Sequence, residues 1–264
     1  MPNRTPQQRI EDLVEDIGDE LQEEMQQVIR PVDTERLDAF VDGSFAFAVT
    51  LLIIAGAEPL NDFGDLVQAV GRVPAFAAGF LLIVMFWLGH RNYGKLAPIR
   101  DAWSATLSLA IVFLVLINVF PLRLLTEAGL AYFSGWRLPG RETIDSLANL
   151  SKVYIIYGVS FSALGVCFAL LYGHALRRGP ALGLLPEERQ EAWEWRGMWW
   201  VVTAAGAGSS LLAMTLDLHR YPGVPGFFYW LIPVGIFFVN FASQKRKRRR
   251  RKSPPSNTGP TAAS

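Results

Sequence analysis

Long hydrophobic blocks constrain this chain more than any other feature. Between Phe40 and Asn240 the sequence consists of apolar blocks separated by short segments that contain Pro, Gly and charged residues. Each block has about 18–22 residues, enough for a helix to cross a hydrocarbon core of about 30 Å. A soluble domain has no use for six such blocks, so we predict an all-α integral membrane protein. Its six transmembrane helices are placed at residues 38–57, 73–93, 103–125, 152–174, 197–216 and 226–243.

The distribution of basic residues predicts the orientation, because Lys and Arg are retained on the cytosolic side of a membrane. The loops after the second and fourth blocks and the tail after the sixth carry most of them: Arg91, Lys95, Arg100, Arg177, Arg178, Arg189, Arg196 and the unbroken run 245–252. The first loop has only Arg72 and the fifth only Arg220, whereas the third is ambiguous, with Arg137 and Arg141 beside acidic residues. Both termini are therefore expected in the cytosol. Trp87, Trp103, Trp199 and Trp200 then fall near the cytosolic face, as in an interfacial aromatic belt.

The two charged ends flank a membrane domain at residues 36–243. Residues 1–35 form an acidic arm with ten acidic and three basic residues, a net charge of −7. Apolar residues recur in this arm at heptad-like spacing, which fits either an amphipathic helix on the protein's own cytosolic surface or a small coiled coil between subunits. Residues 244–264 are basic and then rich in Pro, Ser and Thr, and are expected to be disordered.

The basic tail has two interpretations, since such a run beside a membrane span commonly serves only as a topology anchor. It can also be held against anionic lipid headgroups. Nucleic acid is not an expected partner.

Signals for catalysis or metal binding are weak. The three histidines, His90, His174 and His219, have no metal-ligand spacing, and Cys167 is the single cysteine. We therefore predict no enzyme activity, no cofactor and no metal site.

The first block carries an acidic residue inside an apolar stretch. An ionised Asp42 there costs up to about 2.5–3.5 kcal/mol on the insertion scale, so it should have partners. Arg36, His90 and Arg91 are the candidates, because the predicted topology places them at the same level of the membrane. The alternative is that Asp42 caps the first helix at the water line.

One face of the same helix is marked by its periodicity. Gly43, Phe47, Leu51 and Ile54 recur at spacings of four, four and three residues, with Thr50 beside them. By itself this pattern describes a lipid-facing or packed face more often than a pore.

The first block resembles the transmembrane protein 175 family of potassium channels. The residues that carry the resemblance are Arg36, Ala39, Phe40, Asp42, Gly43, Ala46, Thr50, Leu51 and Leu52. Supporting matches follow at Pro74, Phe76, Phe80, Trp87 and His90, and at Pro121, which ends the third span in this comparison. The sequence departs from the family pattern at Val41, Phe47, Arg91 and Ala110.

The resemblance implies a tetrameric channel whose pore is lined by the first helix of each subunit. By position, the hydrophobic constriction corresponds to Phe47, Leu51 and Ile54, with Thr50 as the polar neighbour. Arg36, Asp42, Trp87 and His90 correspond to a polar network that holds the first two helices together. Phe47 replaces the usual Ile, and its ring either narrows the path or turns aside.

The sequence therefore predicts a potassium-permeable homotetramer that passes through the lipid bilayer several times, most simply in a prokaryotic plasma membrane. A non-conducting membrane scaffold or a small-solute transporter is the alternative. Small residues such as Gly158, Ser162, Ala204 and Gly208 would let helices approach closely in either case.

Overall fold

The computed structural model describes residues 34–57, 59–98, 100–135, 137–140, 146–230 and 232. The described helices are α1 (Thr34–Ile54), α2 (Phe63–Gly71), α3 (Val73–Leu96), α4 (Ala102–Phe133), α5 (Leu147–Arg177), α6 (Pro186–Thr215) and α7 (Val224–Phe227). A short 3-10 helix, Phe228–Trp230, follows α7. The predicted acidic arm, except Thr34 and Glu35, and the predicted basic tail lie outside the described residues.

Side-chain caps define where several helices begin. Ser104 donates its backbone N–H to Asp101 Oδ1 at 2.9 Å, and Ser104 Oγ accepts from the Asp101 N–H at 3.0 Å, which forms a capping box at the start of α4. The Asp62 side chain caps α2 through Asp65 in the same way. Ser146 caps α5 by accepting from the N–H of Asn149 at 3.2 Å. These caps satisfy N–H groups that have no partner inside the helix.

Within the described part of the chain, five helical stretches are long and apolar enough to cross a membrane: α1, α2 together with α3, α4, α5 and α6. They correspond to the first five predicted spans, although α1 ends three residues and α6 one residue before the predicted end. The predicted sixth span starts in α7 and the 3-10 helix, and beyond residue 232 it lies outside the described residues. The coarse fold prediction, an all-helical membrane protein, is thus confirmed.

The structure differs from the sequence prediction just before the second span and within the third. Residues expected to form a plain loop contain α2, whose apolar residues Phe63, Val67 and Val70 are all exposed. Pro121 does not end its helix, since α4 continues to Phe133. Neighbouring helices in a membrane protein can satisfy the backbone groups that an internal proline frees, so a helix can pass through such a residue.

The helices pack in two groups around an aromatic core. The pair α5 and α6 has the most extensive interface, and α1 packs on α3 and α4. Phe168 of α5 stacks on Trp199 of α6 with ring centroids 3.9 Å apart, and Phe86 of α3 also stacks with this indole, at 5.8 Å. Trp199 is only 2% exposed. It belongs to the core and not to an interfacial belt, unlike the sequence expectation.

Candidate pore helix and its polar contacts

Helix α1 has one packed face and one open face. Val41, Phe45, Ala48 and Leu52 are buried against the neighbouring helices. The contact is close, since a Cβ added to Gly79 of α3 would lie 3.0 Å from Leu52. The burial period of four, three and four residues is that of one side of a helix, and the other side of α1 is left open by the described part of the chain.

The open face carries the residues that the sequence assigned to a constriction. Phe47 is 54% exposed and Ile54 is 60% exposed, and Thr50 between them is also exposed. Leu51 differs, because it is partly buried and packs at the edge of the core. Gly43 stands in open space, where an added Cβ would have no described atom within 4 Å.

Phe40 lies on the same open face of α1, although the sequence analysis had not assigned it to the constriction. It is 56% exposed. Phe40, Phe47 and Ile54 are seven residues apart, about two helical turns each, so they stand above one another on α1. An exposed apolar line therefore runs along much of the helix.

The structure brings two of the proposed network residues together. The indole Nε1 of Trp87 donates a hydrogen bond of 2.8 Å to Oδ1 of Asp42, which ties α3 to α1. The guanidinium of Arg91 stands over the Trp87 ring at 5.4 Å. Asp42 lies inside α1, which begins at Thr34, so the alternative that Asp42 caps this helix does not hold.

The other two network residues occupy different places. His90 is buried, and its Nε2 is 2.9 Å from Oγ of Ser108 on α4. It therefore joins α3 to α4. Arg36 is exposed in the first turn of α1.

An ion pair that sequence reasoning missed holds the start of α1. Arg100 Nη2 lies 2.7 Å from Oδ1 of Asp38, and the Arg100 side chain is 0% exposed against 39% for Asp38. The guanidinium also stands over the ring of Tyr93 at 4.6 Å, a cation–π contact. The sequence analysis used Arg100 only to predict the orientation in the membrane. Nothing along the chain indicates that Asp38, 62 residues away, would reach it.

Asp101, the residue after Arg100, makes a second set of contacts, with the end of α5. His174 Nε2 lies 2.7 Å from Oδ2 of Asp101, and Arg178 Nη1 lies 3.2 Å from the same oxygen. Partial burial by itself would raise the pKa of the Asp101 carboxyl. The hydrogen bonds from Ser104 and His174, with the charge of His174, outweigh burial and lower this pKa from 3.8 to about 2. Asp101 is thus held as a carboxylate.

At the opposite end of α1, an ion pair on α4 binds the C-terminus of the helix. Arg123 Nη1 donates to the carbonyl oxygen of Ala55, just after the last residue of α1, and Arg123 Nε donates to Glu127 Oε1 at 2.9 Å. A cation at a helix C-terminus is favourable for the helix dipole. The sequence could have predicted this ion pair, because Arg123 and Glu127 are oppositely charged residues four apart in a largely apolar helix.

Among the described residues, no group of three or more His, Cys, Asp or Glu side chains is arranged to hold a metal ion.

Comparison with known proteins connects this arrangement to a family. The sequence pattern of the family described as "Endosomal/lysosomal potassium channel TMEM175" matches residues 36–121, which run from the first turn of α1 through α2 and α3 into α4. A protein of Marivirga tractuosa named "Potassium channel" is 26% identical over 226 residues, which are 80% of this chain and 89% of that protein. A protein of Chamaesiphon minutus, also named a potassium channel, is 30% identical over 157 residues, which are 54% of this chain and 66% of that protein.

A solved structure shares the fold. A variant of the potassium channel MtTMEM175, crystallised with a nanobody–MBP fusion protein, superposes with a TM-score of 0.67 at 23% identity. The match covers 82% of this chain and 96% of that one.

Proposed function

Since this chain belongs to the TMEM175 family, whose sequence pattern its residues 36–121 carry, we propose that it forms a potassium-permeable channel with a pore lined by α1. The family is one of channels and not of enzymes. The chain is a multi-pass membrane protein.

The observation that carries the proposal is the one-sided packing of α1. Val41, Phe45 and Leu52 hold one side of this helix on α3 and α4, while Phe47 and Ile54 project from the other side, away from the described core. If several copies place this open side around one axis, the exposed apolar line becomes the wall of a common path. Lipid would satisfy the same side chains, so the match of residues 36–121 to the potassium-channel family is what favours a pore over a lipid-facing side.

The proposed mechanism is a hydrophobic constriction. The path is narrowed by Phe47, Leu51 and Ile54 of each subunit, so a potassium ion must shed part of its water there. This collar of apolar side chains opens and closes the pore by wetting and dewetting. Thr50 offers a hydroxyl to the ion, although in the subunit this group donates to the carbonyl of Ala46 at 3.2 Å. Leu51 needs a small turn of α1 or of its own side chain to reach the axis, because it lies at the core edge.

The polar network is proposed to keep α1 in place while the constriction opens. Asp42 and Trp87 join α1 to α3, and His90 joins α3 to α4 through Ser108. Arg36 is proposed to complete the network at the first turn of α1.

We further propose a homotetramer in a prokaryotic plasma membrane, with six spans and both termini in the cytosol. The basic residues support this orientation, since Arg91, Lys95 and Arg178 all lie at the end of the described bundle that carries the start of α1. In this orientation Asp38, Asp42 and Arg100 are on the cytosolic side, and the Arg123–Glu127 pair is on the other side.

The test is an ion-flux measurement on purified protein in liposomes. Liposomes loaded with potassium and diluted into sodium should develop an inside-negative potential, read with a potential-sensitive dye, and sodium-loaded liposomes diluted into potassium should develop the opposite one. Protein-free liposomes are the baseline, and a potassium ionophore gives the full response. Vesicles that stay tight to cations at every voltage and pH, or protein that remains strictly monomeric, would overturn the proposal.

A further inference from the structure

Two anchors hold the cytosolic end of α1, and one of them, Asp38, stands opposite Phe47 of the constriction. Asp38 is bound by Arg100 and Asp42 is bound by Trp87, one helical turn further on. Asp38 and Phe47 are nine residues apart, which at 3.6 residues per turn is a rotation of about 180°. Whatever fixes Asp38 against the bundle therefore fixes the direction in which Phe47 points.

Arg100 is an unusual anchor, because it is enclosed by the protein. Its side chain is 0% exposed, and its Nε and Nη1 atoms are buried with no hydrogen-bond partner among the described residues. The Asp38 carboxylate and the Tyr93 ring balance the charge of this guanidinium. A buried charge has a strong need for its partner, so this pair holds its geometry more tightly than a surface ion pair would.

Asp101, the residue after Arg100, connects this anchor of α1 to the end of α5. Asp101 caps α4 and at the same time accepts from His174 and Arg178 at the end of α5. Arg100 and Asp101 thus form a junction in which one residue holds α1 and its neighbour holds α5. In the described part of the chain, α1 and α5 are not in extensive contact with each other, so this junction is a direct polar route between their ends.

We propose that Arg100 is a positioning residue for the pore helix: anchored through the Asp101 junction to α5, it binds Asp38 and thereby sets the rotation of α1 about its axis. This inference rests on the proposed function, since it assumes that the open side of α1 faces the pore.

The test uses a cysteine introduced at Gly43 as a reporter of that rotation. Gly43 is one turn before Phe47 on the open side, and a Cβ there meets no described atom within 4 Å, so Gly43→Cys fits without a clash. The native Cys167 is first removed in Cys167→Ser, because it is a free thiol. The parent protein for the test is the double variant with Gly43→Cys and Cys167→Ser. Liposomes carrying it are treated on both sides with a positively charged, membrane-impermeant methanethiosulfonate, which reacts with thiols in water.

The positioning variants are Arg100→Ala and Asp38→Asn in the reporter background. Each is expected to slow the modification of the introduced thiol by about tenfold, the factor that corresponds to losing one hydrogen bond to a charged group. Arg100→Lys, which keeps the charge near Asp38, should restore much of the rate. Combining Arg100→Ala with Asp38→Asn should add little to either alone, since the two residues act through one contact.

Lys95→Ala is the matched control, because it removes a basic residue from the same end of α3 at an exposed position. It should leave the rate unchanged. If Arg100→Ala does not fold, Asp38→Asn still tests whether the ion pair sets the rotation of α1. Asp38 is partly exposed and the substitution preserves the shape of its side chain.

The outcomes separate the two proposals. A parent protein that the reagent does not modify would show that this side of α1 does not meet water, which overturns the proposed function and the role of Arg100 with it. A parent that is modified, at a rate that neither Arg100→Ala nor Asp38→Asn changes, would overturn the role of Arg100 alone.

Discussion

Trp87 and Asp42, 45 residues apart in the chain, are joined by a hydrogen bond of 2.8 Å from the indole Nε1 to the carboxylate Oδ1. The bond links the second half of α3 to the first half of α1. It gives Asp42 a partner inside an apolar helix, where an unpaired carboxylate would be unfavourable. The same bond holds α1 on the side away from Phe47.

We expect Asp42→Ala to reduce the assembled protein. Without the carboxylate, the Trp87 indole loses its acceptor and α1 is held less firmly on α3, which should loosen any assembly built on α1. A hydrogen bond to a charged group contributes about 1.5–3 kcal/mol, and this one belongs at the lower end because Asp42 is exposed. The measurement is the oligomer fraction in mild detergent by size-exclusion chromatography.

Asp42→Asn is the control for that experiment, because the amide oxygen can still accept from Trp87. It should retain more oligomer than Asp42→Ala. An unaltered oligomer yield in Asp42→Ala would show that assembly does not depend on this contact.

Phe47→Ala is expected to raise potassium flux in liposomes. Removing the ring widens the proposed constriction and reduces the apolar surface that an ion must pass, so the path wets more readily. Phe113→Ala is the matched control, since Phe113 is an exposed phenylalanine on α4 and not on the proposed pore helix. Flux that rises equally in both variants, or in neither, would speak against Phe47 as the constriction.

Acid should weaken the junction at Asp101. The folded protein lowers the pKa of this carboxyl from 3.8 to about 2, so the folded state favours the carboxylate. Its contribution to stability is complete above a pH of about 4 and is lost as the pH falls toward 2. Because Asp101 is partly open to water, we expect a contribution of roughly 1 kcal/mol.

The measurement is the midpoint of thermal unfolding in detergent between pH 5 and pH 2, taken as a difference between variants. Asp101→Asn should be less stable than the unsubstituted protein at pH 5, and the difference should vanish near pH 2. Glu187→Gln, at an exposed carboxylate in the first turn of α6, serves as the control. A difference that does not change with pH would contradict the expectation.

Gly158→Ala should destabilise the α5–α6 pair. A Cβ at Gly158 would lie 2.6 Å from the carbonyl oxygen of Gly206 and would also meet the Ser210 hydroxyl. Backbone cannot move aside as a flexible side chain can, so we expect a loss of about 1–3 kcal/mol, seen as a lower unfolding midpoint.

Gly197→Ala is the internal control, because a Cβ at Gly197 of α6 meets no described atom within 4 Å. Alanine favours a helix over glycine by up to about 1 kcal/mol, so Gly197→Ala should be neutral or stabilising. Similar losses in the two variants would show that close packing at Gly158 is not the cause.

The family resemblance in the first helix depended on residue types at fixed spacing, and the family match at residues 36–121 agrees with it. The contacts of those residues were less accessible to sequence reasoning. His90 had been considered as a partner for Asp42, yet it faces Ser108 on α4. Helical period can assign residues to one side of a helix, but it does not say which neighbouring helix they meet.

The sequence by itself determined that this is a helical membrane protein and where most of its spans run, because the transfer of apolar blocks into lipid depends on local composition. It also determined which residues of α1 share a side, because that follows from helical geometry. Only the tertiary structure decided that Arg100 meets Asp38, that Asp101 meets His174, and that Trp199 is enclosed by Phe86 and Phe168. These pairs are distant along the chain, and the energy of each contact depends on burial and distance, which exist only once the helices have packed.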